Sequence, residues 1–234
     1  MSQTPDLSIA MIFYNEEKNA AGAIEKLATT GGLKIPDYEI IAVDNGSIDS
    51  TAKILKTIAE KNPHVKIATV AKNVGYGFGA TTGLANCSGR YIGYIDGDGQ
   101  FDPESTVMAY KKMCAENLDV CKAYRIIREY DFTRKFLSFG FNILLQFMFG
   151  VSCHDINGKP KIMRREVFES LMLKSKDWFI DSEIILKSTE LGYKLGDVPT
   201  TYKKRGEGKS SVRIGTALEF AKNIITYRIF KKTW

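Results

Sequence analysis

The segment Tyr91–Glu104, YIGYIDGDGQFDPE, runs from apolar residues into two aspartates one residue apart, Asp96 and Asp98, then Gln100 and the pair Asp102-Pro103. Two carboxylates on a short loop suit a hard divalent cation, Mg2+ or Mn2+, shared with the phosphates of a substrate. A bare Asp-x-Asp is also found as an acidic surface turn, so its meaning depends on where the chain places it.

Hydrophobic periodicity supplies the placement. LSIAMIF (Leu7–Phe13) reads as a strand, Glu16–Ala28 as a helix and YEIIAV as a strand. Asp49 reads as the N-cap of a helix running to about Lys61. HVKIATV is a further strand, a glycine-rich helix follows over about Gly75–Cys87, and RYIGYI is the strand that ends at the carboxylates. A helix opened by Asp102-Pro103 and the strand DVCKAYR come next. This order predicts an α/β fold with a mostly parallel sheet and helices on both faces. Asp96 and Asp98 then stand at the carboxyl end of a strand, where such sheets bind ligands.

Two later segments depart from the soluble pattern. Phe136–Val151 is apolar nearly all round, but its sixteen residues fall short of the ~20 that a spanning helix needs. It reads as a buried core helix or as a helix lying in a bilayer interface. The last helix, roughly 214–230, puts Ile214, Leu218, Ala221, Ile225 and Ile229 on one face and closes on Arg228, Lys231, Lys232 and Trp234, which suits a headgroup boundary. From Thr200 onward nine Lys or Arg face two Glu, so this stretch carries +7 while the remainder of the chain is near −1. That tail implies an anionic partner (lipid phosphate, membrane surface or nucleic acid) or a merely solvated helix face.

The rest of the composition is that of an ordinary globular protein, 44% hydrophobic and 26% charged, long enough for one large domain. Cys87, Cys114, Cys121 and Cys153 show neither CxxC spacing nor a histidine at zinc spacing, and read as buried thiols in a reducing compartment. The first residues carry no basic and apolar leader pattern, so a cytosolic protein is expected. GYGFGA (Gly75–Ala80) matches a relaxed dinucleotide fingerprint, but it sits in the third βα unit, and the first has FYNEEKN where the glycine loop would normally be. GEGKSS resembles the end of a P-loop, yet Lys203 stands where its first glycine is required.

Taken in order, FYNEEKN, VDNGSIDST, NVGYGFGATTGLANCSGRYIGYIDGDGQ, YRIIREYDFTR and VPTTYKKRGEGKSS resemble family 2 glycosyltransferases of the GT-A fold. The likeness is closest to the dolichyl-phosphate mannose synthase and polyprenyl-phosphate glycosyltransferase branch, and it covers about Leu7 to Arg213. It implies that Tyr14, Asn15, Glu16, Asp44 and Asn45 line a nucleotide-sugar pocket. Asp96 and Asp98 match the metal-binding DxD, followed by Gln100. Arg125, Arg128 and Arg134 match the arginines that hold an acceptor phosphate, and Arg205 and Ser210 match a loop that closes over the phosphates and the acceptor, with Ser210 on the acceptor phosphate. Three departures stand out: Ile12 replaces a proline, Asn45 replaces the second acid of DDGS, and Ala123-Tyr124 replaces a glycine ahead of the arginines.

The resemblance implies an inverting, metal-dependent transfer from a nucleoside diphosphate sugar to a polyprenyl phosphate, dolichyl or undecaprenyl. Asp98, Arg125, Arg134 and Arg205 would carry the chemistry. Residues 1–130 would bind the nucleotide sugar, and residues 131–234, with their amphipathic helices, would form the acceptor and membrane-interface half of the same domain. The expected partners are the donor, the lipid acceptor and the cytosolic membrane face, met peripherally or through a subunit that supplies transmembrane helices. Nucleic acid is not among them. A phosphate monoester, with its second pKa near ~6, is already nucleophilic at neutral pH and needs no strong base. The nearest alternative, the same fold transferring to a glycan or other hydroxyl acceptor, would need one, from Asp98, Asp155 or Glu183. A non-catalytic nucleotide-sugar-binding protein is the remaining alternative.

Several of these residues also have purely structural readings. The arginines could pair with Glu129 and Asp131 at the surface, and Asn73, Gly75 and Gly83 could serve turn geometry and close packing alone. Glu183 could be buried beside the site or an exposed helix charge, and His64 and His154 read as structural.

Overall fold

The computed structural model describes residues 4–35, 37–128, 155–202, 223–224 and 226–227. Its strands are β1 (Leu7–Phe13), β2 (Tyr38–Asp44), β3 (Val65–Thr69), β4 (Tyr91–Asp96), β5 (Val120–Arg128), β6 (Lys161–Arg164) and β7 (Leu195–Tyr202). The helices among the described residues are α1 (Ala20–Lys34), α2 (Thr51–Lys61), α3 (Tyr76–Asn86), α4 (Pro103–Glu116), α5 (Arg165–Leu171) and α6 (Ile180–Glu190). The strands form one sheet in the order β3-β2-β1-β4-β6-β5-β7.

The sheet follows from its sequences. β1 is buried along its whole length, and β2 and β4 nearly so, as parallel strands covered on both faces must be. Successive β1 side chains feed two cores: Ala10 and Ile12 pack with Leu84, Ile184 and Ile185, while Ile9, Met11 and Phe13 pack with Ile24, Leu55 and Val107. Helices α3, α5 and α6 therefore cover one face, and α1, α2 and α4 the other. The edge strand β3 buries only Val65 and Ala68, and the other edge strand, β7, tolerates Pro199, which has no N–H to give.

Residues beyond 130 join this sheet. The four-residue β6 runs antiparallel between β4 and β5, and β7 lies parallel to β5. The β5–β7 register slips between Arg125 and Ile127, so that Arg125 faces Thr200 and Arg128 faces Tyr202. The bulge turns a sequence spacing of three into a ladder spacing of two, which restores both arginine positions to the same parity.

Helix ends agree with the sequence at α4, where the Asp102 side chain accepts from the Glu104 N–H and Pro103 opens the helix. Two ends differ. α1 starts at Ala20, because the Glu16 carbonyl accepts from the Asn19 and Ala20 N–H groups in a preceding turn, and it continues past Ala28 through Gly31-Gly32. The N-cap of α2 is Ser50, which makes no side-chain cap bond; Asp49, one residue earlier, accepts from the Thr51 N–H and hydroxyl.

Cys87 and Cys121 are buried free thiols as expected, whereas Cys114 is exposed. No helix among the described residues is long and apolar enough to cross a membrane. Phe136–Val151, Arg134, Cys153, His154, Arg205, Lys209 and Ser210 lie outside the described residues. Of the expected last helix, Asn223, Ile224, Thr226 and Tyr227 are described and helical. Ile224 and Tyr227 are buried, with the Tyr227 ring 5.9 Å from that of Phe179.

Candidate active site

The sheet order reverses between β1 and β4: β1 connects to β2 on one side, and β4 returns on the other. A crevice opens at such a switch point, beyond the carboxyl ends of the strands. The register sets Phe13 beside Asp44 and Ile12 beside Asp96. The loop Tyr14–Glu16 therefore lies between Asp44 of β2 and the loop Asp96–Gln100 after β4.

Each wall is held by hydrogen bonds specific to its side chains. Asn15, at φ 53, accepts from the Ile48 N–H through its side chain, while its own N–H donates to Ser47 Oγ. Glu16 is buried, donates its N–H to Thr51 Oγ1 and accepts from Asn19 Nδ2. Asp44 is buried and accepts from the Ser47 N–H. Tyr14 is exposed at the crevice. The departure at position 45 has a physical reason: Asn45 Nδ2 donates to the Gly75 carbonyl at 3.2 Å, which a carboxylate could not do.

That bond ties β2 to the start of α3, whose glycines serve close approach. Gly75 has φ 131, and a Cβ on it would overlap the Lys176 carbonyl. A Cβ on Gly77 would lie 2.6 Å from the Ser175 carbonyl oxygen, and one on Gly83 would lie 2.6 Å from Ala10 Cβ. The fingerprint-like GYGFGA is thus accounted for by packing. Its Tyr76 stacks on Trp178 at 4.2 Å between ring centroids.

Beneath the carboxylates lies a buried polar cluster that the sequence reading missed. Asp96 Oδ1 accepts from the Tyr76 hydroxyl at 2.6 Å. Lys159 Nζ is 3.2 Å from Asp96 Oδ1 and 3.1 Å from Asp181 Oδ2, and it sits 4.4 Å from the Tyr76 ring centroid. Lys161 Nζ and the Tyr94 hydroxyl both reach Asp181 Oδ1 at 2.6 Å. Burial alone would lower the Lys159 pKa, but Asp181 and Asp96 outweigh it and hold the ammonium above its ordinary value. For Lys161 burial dominates and lowers it to about 8, with Asp181 opposing and Lys159 reinforcing the shift. Burial, then the charges of Asp96 and Asp181, keep Tyr76 protonated; burial and Asp181 do the same for Tyr94. The available signal was KPK inside the apolar run around Ile162, together with Asp181 within WFIDSEIIL.

Asp98 Oδ1 accepts from the Gln100 N–H at 3.0 Å, which fixes the loop between them. Asp96 and Asp98 offer hard carboxylate oxygens, a donor set that fits Mg2+ or Mn2+. No group of three or more His, Cys, Asp or Glu side chains among the described residues forms a ready cage.

On β5, two strands from β4, Arg125 is engaged by Asp155, which comes from a left-handed position at φ 45. Arg125 Nε and Nη2 donate to the two Asp155 oxygens at 2.6 Å each, and the Arg125 N–H adds a third bond. Glu183 is fully buried: it accepts from the Lys174 and Ser175 N–H groups and from Lys187 Nζ at 2.6 Å. It is therefore not an exposed helix charge. His64 is exposed and stacks on Tyr38.

Residues 8–172, well over half of the chain, match the family model for glycosyl transferase family 2. This chain belongs to that family. Similar curated proteins are the dodecaprenyl-phosphate galacturonate synthase of Rhizobium johnstonii, 25% identical over 98% of this chain and 68% of its own length, and the undecaprenyl-phosphate 4-deoxy-4-formamido-L-arabinose transferase of Yersinia enterocolitica, 29% identical over 71% and 51%. The chain spans about half the length of the second of these relatives. Among solved structures, the glucosyl-3-phosphoglycerate synthase of Mycobacterium tuberculosis with phosphoglyceric acid superposes with a TM-score of 0.74 at 15% identity, covering 96% of this chain and 80% of that one. Staphylococcus aureus TarS with UDP-GlcNAc gives 0.66 at 18% identity, covering 96% and 66%. The fold is GT-A, as the motif order led one to expect.

Proposed function

We propose that this chain moves a sugar, with inversion, from a nucleoside diphosphate sugar to a polyprenyl phosphate at the cytosolic membrane face. The observation that carries the reading is the strand order and register, which set Phe13 beside Asp44 and Ile12 beside Asp96, so that the segments Tyr14–Glu16, Asp44-Asn45 and Asp96–Asp98 share the carboxyl end of the sheet. The mycobacterial neighbour is also known with Mn2+ and UDP bound. In this chain Asp96 and Asp98 would hold Mg2+ or Mn2+, and the donor's diphosphate would complete its oxygen ligands. When bound, the metal would offset the charge building on the leaving diphosphate. Tyr14, Asn15, Glu16, Asp44, Asn45 and Gln100 would seat the nucleotide sugar, and Arg205 would add a fixed cation to its phosphates.

Support for a phosphate acceptor comes from two sides. The curated relatives are named for polyprenyl-phosphate substrates. In addition, two of the three carboxylates that a hydroxyl acceptor would need as base are committed elsewhere: Asp155 to Arg125, and Glu183 to Lys187 and backbone amides. A phosphate dianion needs cationic positioning instead, and Arg125, Arg128, Arg134 and Ser210 would provide it. Residues 1–130 would form the donor half and residues 131–234 the acceptor and membrane half. Phe136–Val151 and the basic tail would hold the protein peripherally on the bilayer, with or without a transmembrane partner subunit.

The test is product formation by the purified protein with a short-chain polyprenyl phosphate and a panel of radiolabelled nucleotide sugars, with and without chelator. Chelator-sensitive label in the lipid phase, β-linked from an α-linked donor, is the expected result. Metal-dependent hydrolysis of the donor without lipid labelling would refute the acceptor assignment alone. An α-linked product would refute inversion.

A further inference from the structure

Lys159 is oddly placed for a lysine beside a metal-binding carboxylate. Its side chain is 6% exposed, and its Nζ lies 3.2 Å and 3.3 Å from the two Asp96 oxygens and 3.1 Å from Asp181 Oδ2. The Tyr76 ring covers it at 4.4 Å and the Trp178 ring at 5.3 Å. Resting on the metal reading of Asp96 and Asp98 above, we propose that Lys159 is the resident counter-ion of Asp96. It occupies the carboxylate until a divalent metal arrives, then withdraws onto Asp181.

Charge makes the argument. Among the described residues two acids, Asp96 and Asp181, face two cations, Lys159 and Lys161. Asp98 adds one further carboxylate, so these three acids exceed the two lysines by one. The donor's diphosphate brings the missing anionic oxygens. Metal and diphosphate therefore bind together, each weakly without the other, and Lys159 enforces that coupling. Asp181 gives the ammonium a place to go: it already contacts Lys159 through Oδ2, while Lys161 and Tyr94 hold its Oδ1. The displacement costs little, because Lys159 needs only to exchange a shared contact for an exclusive one and never becomes a buried unpaired charge.

The experiment measures Mn2+ binding to the full-length chain by electron paramagnetic resonance, with and without inorganic pyrophosphate, alongside circular dichroism. Lys159→Met should bind Mn2+ alone at least about tenfold more tightly than the wild type and lose most of the enhancement by pyrophosphate. Lys159→Arg, which keeps the charge, should stay close to wild type. Asp181→Asn should move in the opposite sense and weaken Mn2+ binding, because Lys159 then has Asp96 as its remaining full carboxylate partner in the cluster. Removing a cation and removing an anion beside a cation site act in opposite senses by charge alone, so it is the loss of the pyrophosphate enhancement in Lys159→Met, kept in Lys159→Arg, that marks the counter-ion role. Wild-type affinity in Lys159→Met, or weakening in both variants, overturns the proposal while leaving the metal site intact. Absence of Mn2+ binding by wild type and variants even with pyrophosphate overturns the metal reading itself, and the proposal with it.

Discussion

Arg125 and Asp155 form a two-pronged ion pair across thirty positions of sequence, with Nε to Oδ2 and Nη2 to Oδ1 both at 2.6 Å. The pair fixes the plane of the guanidinium rather than merely neutralising it, because a fork held at two points cannot rotate. Asp155→Asn keeps the shape and gives up the charge. The Michaelis constant for a short polyprenyl phosphate should rise about tenfold, with that for the nucleotide sugar unchanged. Steady-state kinetics varying each substrate in turn would check this, and an unchanged acceptor constant would remove Arg125 from the acceptor site.

The Asp98 side chain accepts from the Gln100 N–H within its own loop. Asp98→Ala should leave the far-ultraviolet circular dichroism spectrum unchanged and lower turnover by at least ~10²-fold. Normal turnover in that variant would exclude a metal at this position.

At the opposite end of the sheet, buried Glu39 accepts from Ser8, Ser88 and Lys66. Burial alone would raise its pKa, but these bonds outweigh it and bring the carboxyl to about 2. Since the folded value is below the unfolded one, the stabilisation is present above about pH 4.5 and is lost as pH falls toward about 2. Allowing for solvent screening of the exposed Lys66, its size is about 2 kcal/mol. Urea unfolding of wild type and Glu39→Gln, compared across that range, should show the difference between them shrink on acidification; a constant difference would rule out this linkage.

Gly83 brings α3 against β1 and β2, and an added Cβ would meet Ala10 Cβ at 2.6 Å and Val43 Cγ2 at 2.8 Å. Gly83→Ala would gain helix propensity yet overpack the core, for a net loss of about 1–2 kcal/mol. Thermal unfolding should come roughly 3–6 °C lower. A rise in the midpoint would mean that the interface can yield.

The first hundred residues were legible because each element there is coded locally. The apolar runs of β1, β2 and β4, the Asp102-Pro103 helix start and the acids at strand ends need only neighbours in sequence to be recognised. The β6 strand was not, since KIMR is four residues long and borrows its stability from β4 and β5 on either side. The cluster around Lys159 escaped for a related reason: its partners Asp96 and Asp181 lie 63 residues before and 22 after it, and a lysine becomes a core residue only once those acids are delivered. Arg125 was read against nearby Glu129 and Asp131, while its partner Asp155 arrives thirty residues later. The Ile126 bulge, which sets Arg125 and Arg128 in step, leaves no mark in composition.

The backbone contact of Gly75 and Gly77 with Ser175–Asp177 works as a caliper. Its jaws are Tyr76 and Trp178, and the gap is set by two methyl groups that are not there. A single alanine at either glycine would pry the jaws apart beside Asp96, so the fit of the aromatic pair is written in missing atoms. The spacing of the aromatic pair can therefore be changed from behind it, without altering either aspartate.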